Sequence, residues 1–198
     1  MKGRLALAAL IACAAGVLGC SAAPQSYPDE IAAHRAEVDA FMRGSSDSPI
    51  PEAQRASFQP LPYYPIDEQY RVPAALREAR GEQVIEMSTS TGKPRRMRRV
   101  GTLAFTLKGQ PLTLTAFAEA DDTQLRRLFV PFGDLTNGMA TYQGGRYLDL
   151  DLKGSGVYDL DFNRAYHPYC VFNPQYECPV PPRENRLTVP ILAGERNR

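Results

Sequence analysis

The chain has 198 residues, and its 23 basic and 22 acidic side chains leave a formal net charge of +1. That balance gives no bulk attraction to nucleic acid, and the length suits one domain with its own core. Two histidines and four cysteines form a thin ligand set, so neither a metal nor another cofactor is expected.

Met1-Lys2-Gly3-Arg4 is a short basic start, and Leu5 to Leu18 is an uncharged run rich in Ala, Leu and Ile. The run is too short for a spanning helix, which needs roughly 20 apolar residues, but it fits the apolar region of a secretory signal. It ends in Val17-Leu18-Gly19-Cys20, which resembles the bacterial lipobox: residues 1–19 are cut away and Cys20 becomes an acylated first residue. Several acyl chains on one cysteine meet the requirement for stable anchoring. Ser21 follows where an aspartate would favour the inner membrane, so the expected address is the periplasmic face of the outer membrane. Losing Lys2 and Arg4 turns the net charge to about −1, still without a nucleic-acid signal.

Residues 20–28 read as a small, polar tether, and 29–198 as one β-rich domain. Asp29 to Arg43 carries Ile31, His34, Val38, Phe41 and Met42 at helical spacing, with Gly44 where a helix would end. His34 sits at the edge of that apolar stripe. Residues 44–66, rich in Ser and Pro, read as extended or coiled, packed down by Phe58, Tyr63 and Tyr64.

From Gln69 the period changes to two. Strands are predicted over Gln83–Ser88, Val100–Leu107, Pro111–Ala118, Leu128–Phe132, Tyr147–Leu152, Val157–Phe162 and Leu187–Leu192, with turns at segments such as Lys108-Gly109-Gln110 and Gly154-Ser155-Gly156. Many short strands and little helix indicate a mostly β, antiparallel sandwich or barrel-like sheet with one N-terminal amphipathic helix. The run Arg95-Arg96-Met97-Arg98-Arg99 reads as a solvated strand edge, or as a contact for phosphate or anionic lipid.

A three-residue loop at Gly154–Gly156 would make residues 147–163 a hairpin with Asp149 facing Asp161 and Asp151 facing Asp159. Like charges directly opposite are destabilising, so that face needs solvent, arginines such as Arg96, Arg98, Arg126 or Arg127, or a hard cation. Beyond the hairpin, Cys170 and Cys178 are the thiols left after processing and lipidation. In an oxidising compartment such a pair forms a disulfide, worth roughly 2 to 3 kcal/mol. Zinc or copper(I) held by His167, Cys170 and Cys178 is the alternative, although this spacing matches no common zinc pattern. No G-x-S-x-G, P-loop, G-x-G-x-x-G or H-E-x-x-H motif occurs.

The stretches "FVPFGDLTNGMATYQGGRYLD", "LDFNRAYHPYCVFNPQYECPVPPRENRL" and "ILAGE", with the earlier "LPYYPIDEQYRV", resemble a bacterial and archaeal family called the domain of unknown function 1684. The resemblance runs from about Ile31 to Glu195. It implies that Arg146, Asp161, Asn163, Tyr166, Cys170, Cys178, Pro181, Glu184, Asn185 and Arg186 belong to the family signature, and it implies no activity. Two roles follow for these residues. One is a polar cap closed by the Cys loop, with Glu184 and Arg186 paired to Arg146 or Asp161. The other is a recognition pocket of Arg146, Asn163, Tyr166, Asn185 and Arg186 for an anionic or sugar-like ligand or an envelope protein. The expected function is therefore a lipid-anchored binding or interaction domain with a polar site at the Cys-loop end of the sheet. The alternative is a hydrolase for an envelope or carbohydrate substrate, with Asp161 or Glu184 as acid or base. A buried carboxylate of raised pKa beside an open pocket favours the enzyme, and a filled cap favours the binding domain.

Overall fold

The computed structural model describes residues 26–198. The expected signal, Cys20 and most of the tether lie outside the described residues. Helix α1 (Tyr27–Gly44) begins two residues before the expected start, because the Ser26 hydroxyl accepts from the Asp29 N–H and Pro28 lies in the first turn. Asp29 and Glu30 near its start and Arg43 near its end suit the helix dipole. Ile31 and Met42 are buried. The following coil contains one short helix, α2 (Glu52–Arg55), that was not expected. Phe58 and Tyr63 do pack down, joining Met42, Ile50 and Leu61 in a small cluster under α1.

Seven strands build one antiparallel sheet: β1 (Arg71–Glu78), β2 (Val84–Met87), β3 (Arg95–Leu107), β4 (Gln110–Glu119), β5 (Arg127–Phe132), β6 (Arg146–Asp151) and β7 (Val157–Asp161). The order is β6-β5-β4-β3-β1-β7, with β2 beside the first part of β3. The fold is the expected mostly β architecture, a nearly closed barrel-like sheet with one N-terminal helix. With 13 residues, β3 serves β2 and then β1 along one edge while β4 runs along the other. Between the two partners the register slips at Arg99/Gly101, a bulge that bends the strand. Gly101 is needed there, since a Cβ would lie 2.5 Å from the Arg77 carbonyl oxygen. The β3–β4 turn, Lys108 and Gly109, has φ of 48° and 81°, the left-handed pair of a two-residue hairpin.

Leu103, Phe105, Leu114, Leu128, Val130, Phe132, Leu148, Leu160 and Phe162 fill the inside of the sheet. Each such side chain contributes about 1.5 to 3 kcal/mol on burial. A third cluster, Met87, Met97 and Phe117 with Phe129 against it, lies on the outer face.

Four expectations are corrected. No hairpin joins β6 to β7: β6 pairs with β5 and β7 with β1, so the two strands are the ends of the sheet and flank its seam. Alternating residues look the same in a hairpin and at two edges of a closing barrel, which is why the pattern misled. The four aspartates line one groove along that seam without facing in pairs. Each has its own partner: Asp149 the Tyr166 hydroxyl at 2.9 Å, Asp151 Arg127 at 3.5 Å, Asp159 Arg71 at 3.2 Å, and Asp161 the Tyr27 hydroxyl at 2.8 Å. Second, Leu187–Leu192 is not a strand. Leu187 and Ile191 are buried, but the segment is held by single bonds, such as Leu187 N–H to the Gly133 carbonyl at 2.8 Å. Third, the arginine run opens β3 between β2 and β4 and is no edge. Finally, β1 is a strand that residue type does not signal, because Pro73 and two alanines, Ala74 and Ala75, weaken its pattern.

Candidate functional site

The signature residues do not assemble into one pocket. Arg146 and Asp134 are fully buried and 2.9 Å apart. The same guanidinium donates to the carbonyls of Ile191 at 2.8 Å, Glu195 at 3.0 Å and Ala193. It thus ties the C-terminal segment to the sheet. Gly194, with φ of 77°, lets that segment pass so close to the Ala165 carbonyl oxygen that a Cβ would lie 2.6 Å from it. Asn185 accepts from Thr115 N–H at 2.7 Å and donates to the carbonyls of Thr115 at 2.8 Å and Pro131 at 2.7 Å. Asn163 accepts from Asp67 N–H at 3.1 Å and donates to the Asp67 carbonyl and the Tyr27 hydroxyl, both at 2.8 Å. These three side chains stand in for missing strand partners, and the cap they form is filled.

The remaining signature residues lie apart. Asp161 is buried, and Arg164 lies 3.4 Å from it. Glu184 pairs with Arg99 at 2.7 Å, and Arg186 is exposed. The groove that Glu184 and Arg186 line is separate from the seam groove containing Asp161. Asp161 and Glu184 therefore do not meet as an acid–base pair.

Tyr166 leads to a different place. It lines a cleft of about 730 Å³ on the outer face of the sheet, walled by α1 and the Cys loop. Strand alternation makes the floor: Tyr147, Asp149 and Asp151 of β6 face outward, while Arg146, Leu148 and Leu150 face inward. Phe129 lies directly across from Asp149, and Arg127 across from Asp151. The Phe129 and Tyr147 rings meet edge to face at 4.8 Å, and Tyr147 and Tyr166 at 5.7 Å. Tyr169 and Tyr176 form a further edge-to-face pair at 5.4 Å in the Cys-loop wall. The Tyr147 hydroxyl donates to the Pro179 carbonyl and pins the loop over the sheet.

The cleft carries more acid than base. Glu37, Glu119, Asp122, Asp149, Glu177 and Glu195 line it with Arg95 and Arg127. Arg95 is engaged by Glu119 at 2.6 Å, and Arg127 by Asp151. Asp149 is open to water yet crowded by rings, and this partial desolvation raises its pKa above the ordinary carboxylate range; the Tyr166 hydrogen bond and Arg127 oppose the rise. Glu195 is almost wholly buried, and desolvation pushes it up to about 8. Its carboxylate accepts from His167 N–H at 2.8 Å and lies 3.7 Å from the His167 Nδ1. Burial and Arg146 push His167 down to about 4. Both side chains are therefore neutral near pH 7. The His167 Nε2 accepts from Tyr142 N–H at 3.3 Å, so the proton belongs on Nδ1.

Cys170 and Cys178 are neighbouring free thiols in this structure, with Cys170 N–H donating to the Cys178 Sγ at 3.1 Å. Burial and the Cys170 contact push the Cys178 thiol up to about 12. Among the described residues, no group of three or more His, Cys, Asp or Glu is arranged to hold a metal ion.

Sequence reasoning named Tyr166 and placed Asp149 among the hairpin aspartates, but it missed the cleft they share with Phe129, Tyr147 and Glu195. The available signals were the aromatic density of residues 166–176 and the shared outward face of Phe129, Tyr147 and Asp149.

Comparison with known proteins adds a family and a fold relative. Residues 56–196 match the family described as protein of unknown function (DUF1684). The solution NMR structure of an uncharacterized protein from Haloarcula marismortui is similar to this chain, at 39% identity and a TM-score of 0.67. The match covers 85% of this chain and 92% of that one. No curated protein matches.

Proposed function

We propose, for a chain that belongs to the DUF1684 family, that it is a lipid-anchored envelope protein whose cleft binds a small organic ligand. The observation that carries this reading is the cleft itself. An aromatic floor at the junction of α1, β5–β6 and the Cys loop surrounds a solvent-open carboxylate, and mostly apolar concavities with a few polar groups are the usual form of ligand sites. The arginines from which an anionic ligand was expected are Arg146, spent on the chain, and Arg186, outside the cleft. The anchor is Cys20, acylated after removal of residues 1–19 and held at the periplasmic face of the outer membrane. In that compartment Cys170 and Cys178 close to a disulfide that stiffens one wall of the cleft.

A fragment screen followed by NMR shift mapping tests the site. Hits should perturb Tyr147, Asp149 and Tyr166, and Tyr166→Ala should weaken them. Hits gathered instead at Glu184 and Arg186 overturn the assignment. The anchor is tested by Cys20→Ser, which should release a soluble or unprocessed form, whereas an unchanged membrane fraction refutes it.

One observation favours a hydrolytic reading: Asp149 and Glu195 both line the cleft and both have burial-raised pKa values, as a general acid requires. That reading moves the acid from Asp161 or Glu184 to Asp149. It predicts turnover of an envelope glycan or ester, lost in Asp149→Asn, and no turnover across such a panel removes it.

A further inference from the structure

Resting on the cleft reading above, we infer that the ligand is an organic ammonium ion, with Asp149 as its counter-ion and Phe129, Tyr147 and Tyr166 as its aromatic cage. Phe129 is the register partner of Asp149, and Tyr147 is two residues away on the same face. Tyr166 donates its hydroxyl to the Asp149 Oδ2 at 2.9 Å. Three rings therefore converge on one carboxylate. Their contacts are edge to face, at 74° and 89°, so each contact uses the face of one ring, and the cage offers a cation the π surface that these contacts leave uncovered.

Charge selects among ligand classes. Arg95 is engaged by Glu119 at 2.6 Å, Arg127 divides its charge between Asp151 at 3.5 Å and Asp149, and Asp149 takes its hydrogen bond from a neutral hydroxyl. An anionic ligand would meet Asp149 and Glu119 with Arg95 held by Glu119 and Arg127 already facing two aspartates. A neutral, sugar-like ligand would shield Asp149 from water and add nothing to the partial compensation from Arg127 and the Tyr166 hydroxyl. An ammonium ion satisfies the carboxylate and the rings together, and aromatic cages with a carboxylate are a general solution for alkylated ammonium groups. The raised pKa of Asp149 has the same sense, because the surroundings disfavour its ionised form until a positive charge arrives.

The test uses choline and its uncharged carbon isostere, dimethylbutanol, titrated into the mature protein. The chain has no tryptophan, so tyrosine emission follows the titration, and NMR shifts locate the binding at Tyr147 and Tyr166. Choline should bind at the cleft about tenfold or more tightly than the isostere, and Asp149→Asn should bring the two affinities together by weakening choline alone. Equal binding of both probes at the cleft, unaffected by Asp149→Asn, overturns the ammonium inference and leaves the cleft reading intact. Choline that fails to bind while uncharged fragments map to the cleft has the same meaning. If neither probes nor fragments reach the cleft, the cleft reading itself falls.

Discussion

The filled cap and the outer cleft draw on the same C-terminal half of the chain, yet they treat polar side chains in opposite ways. In the cap, Arg146, Asn163 and Asn185 are buried and bound chiefly to main-chain groups. In the cleft, Asp149 lies open beside a hydroxyl and three rings. A buried polar group without a partner is costly, so the cap residues belong to stability. A solvated one costs folding little, so the cleft is free to serve a ligand.

The contrast breaks most visibly at Arg146. Arg146→Ala strands Asp134 as a buried charge and leaves three carbonyls without their donor, and losing one partner of a buried pair costs about 3 to 5 kcal/mol. Urea unfolding should show a loss of that size, or the variant should fail to accumulate. A loss below about 1 kcal/mol would place Arg146 with surface pairs and undo the distinction.

The next largest effect is expected at the thiols, of which Cys178 lines the cleft. The Cys170 N–H contact to the Cys178 Sγ already brings them together, and closing this short loop stabilises by roughly 2 to 3 kcal/mol. Protein from the periplasm should gain two alkylatable thiols only after reduction, and Cys170→Ser should lower its Tm. Ready alkylation of both cysteines in native, unreduced protein ends the disulfide proposal.

Glu195 sharpens the comparison through pH. Its folded pKa near 8 lies above an ordinary value of 4.5, so the folded chain keeps a proton that the unfolded chain loses, and stability falls as pH rises through that window. His167 has a folded pKa near 4 against 6.5, so its contribution falls as pH drops through that range. The two slopes oppose between pH 4.5 and 6.5, and from 6.5 to 8 the carboxyl acts alone. Over that last interval the wild type should lose about 2 kcal/mol. Glu195→Gln keeps an acceptor for His167 N–H without titrating, so its stability should stay level. Parallel curves for the two proteins would show that Glu195 is ionised throughout.

The two regions also differ in how far the sequence exposes them. Alternation is local, so β2 and β4 to β7 were legible from residue type, and Gly44 marked the end of α1. Pairing is not local. The spacing of Asp149, Asp151, Asp159 and Asp161 fits a hairpin as well as two edges of a barrel, and only the rest of the sheet decides. The polar signature was visible as residue types, but Arg146, Asn163 and Asn185 bind main-chain groups far along the chain, and backbone partners carry no mark in a sequence. The cleft was harder still, since its floor and walls come from β5, β6, α1 and the Cys loop.

The smallest stability effect is expected at Asp149, and there the comparison is decided. Its carboxylate is solvent-open, raised in pKa by crowding, and bound to one tyrosine hydroxyl. Asparagine keeps an oxygen that can accept from Tyr166 and removes a charge that partial desolvation disfavours. Asp149→Asn should therefore leave unfolding free energy within about 0.5 kcal/mol of the wild type at pH 7. Any change should be a gain, and it should vanish at acid pH, where the wild-type carboxyl is itself protonated. The same variant should lose the cleft's preference for a charged over an uncharged ligand. A residue that mattered to folding as Arg146 does would reverse this pattern, with a large loss of stability and no separable loss of binding. Urea titrations at two pH values, set beside the binding curves, distinguish these outcomes.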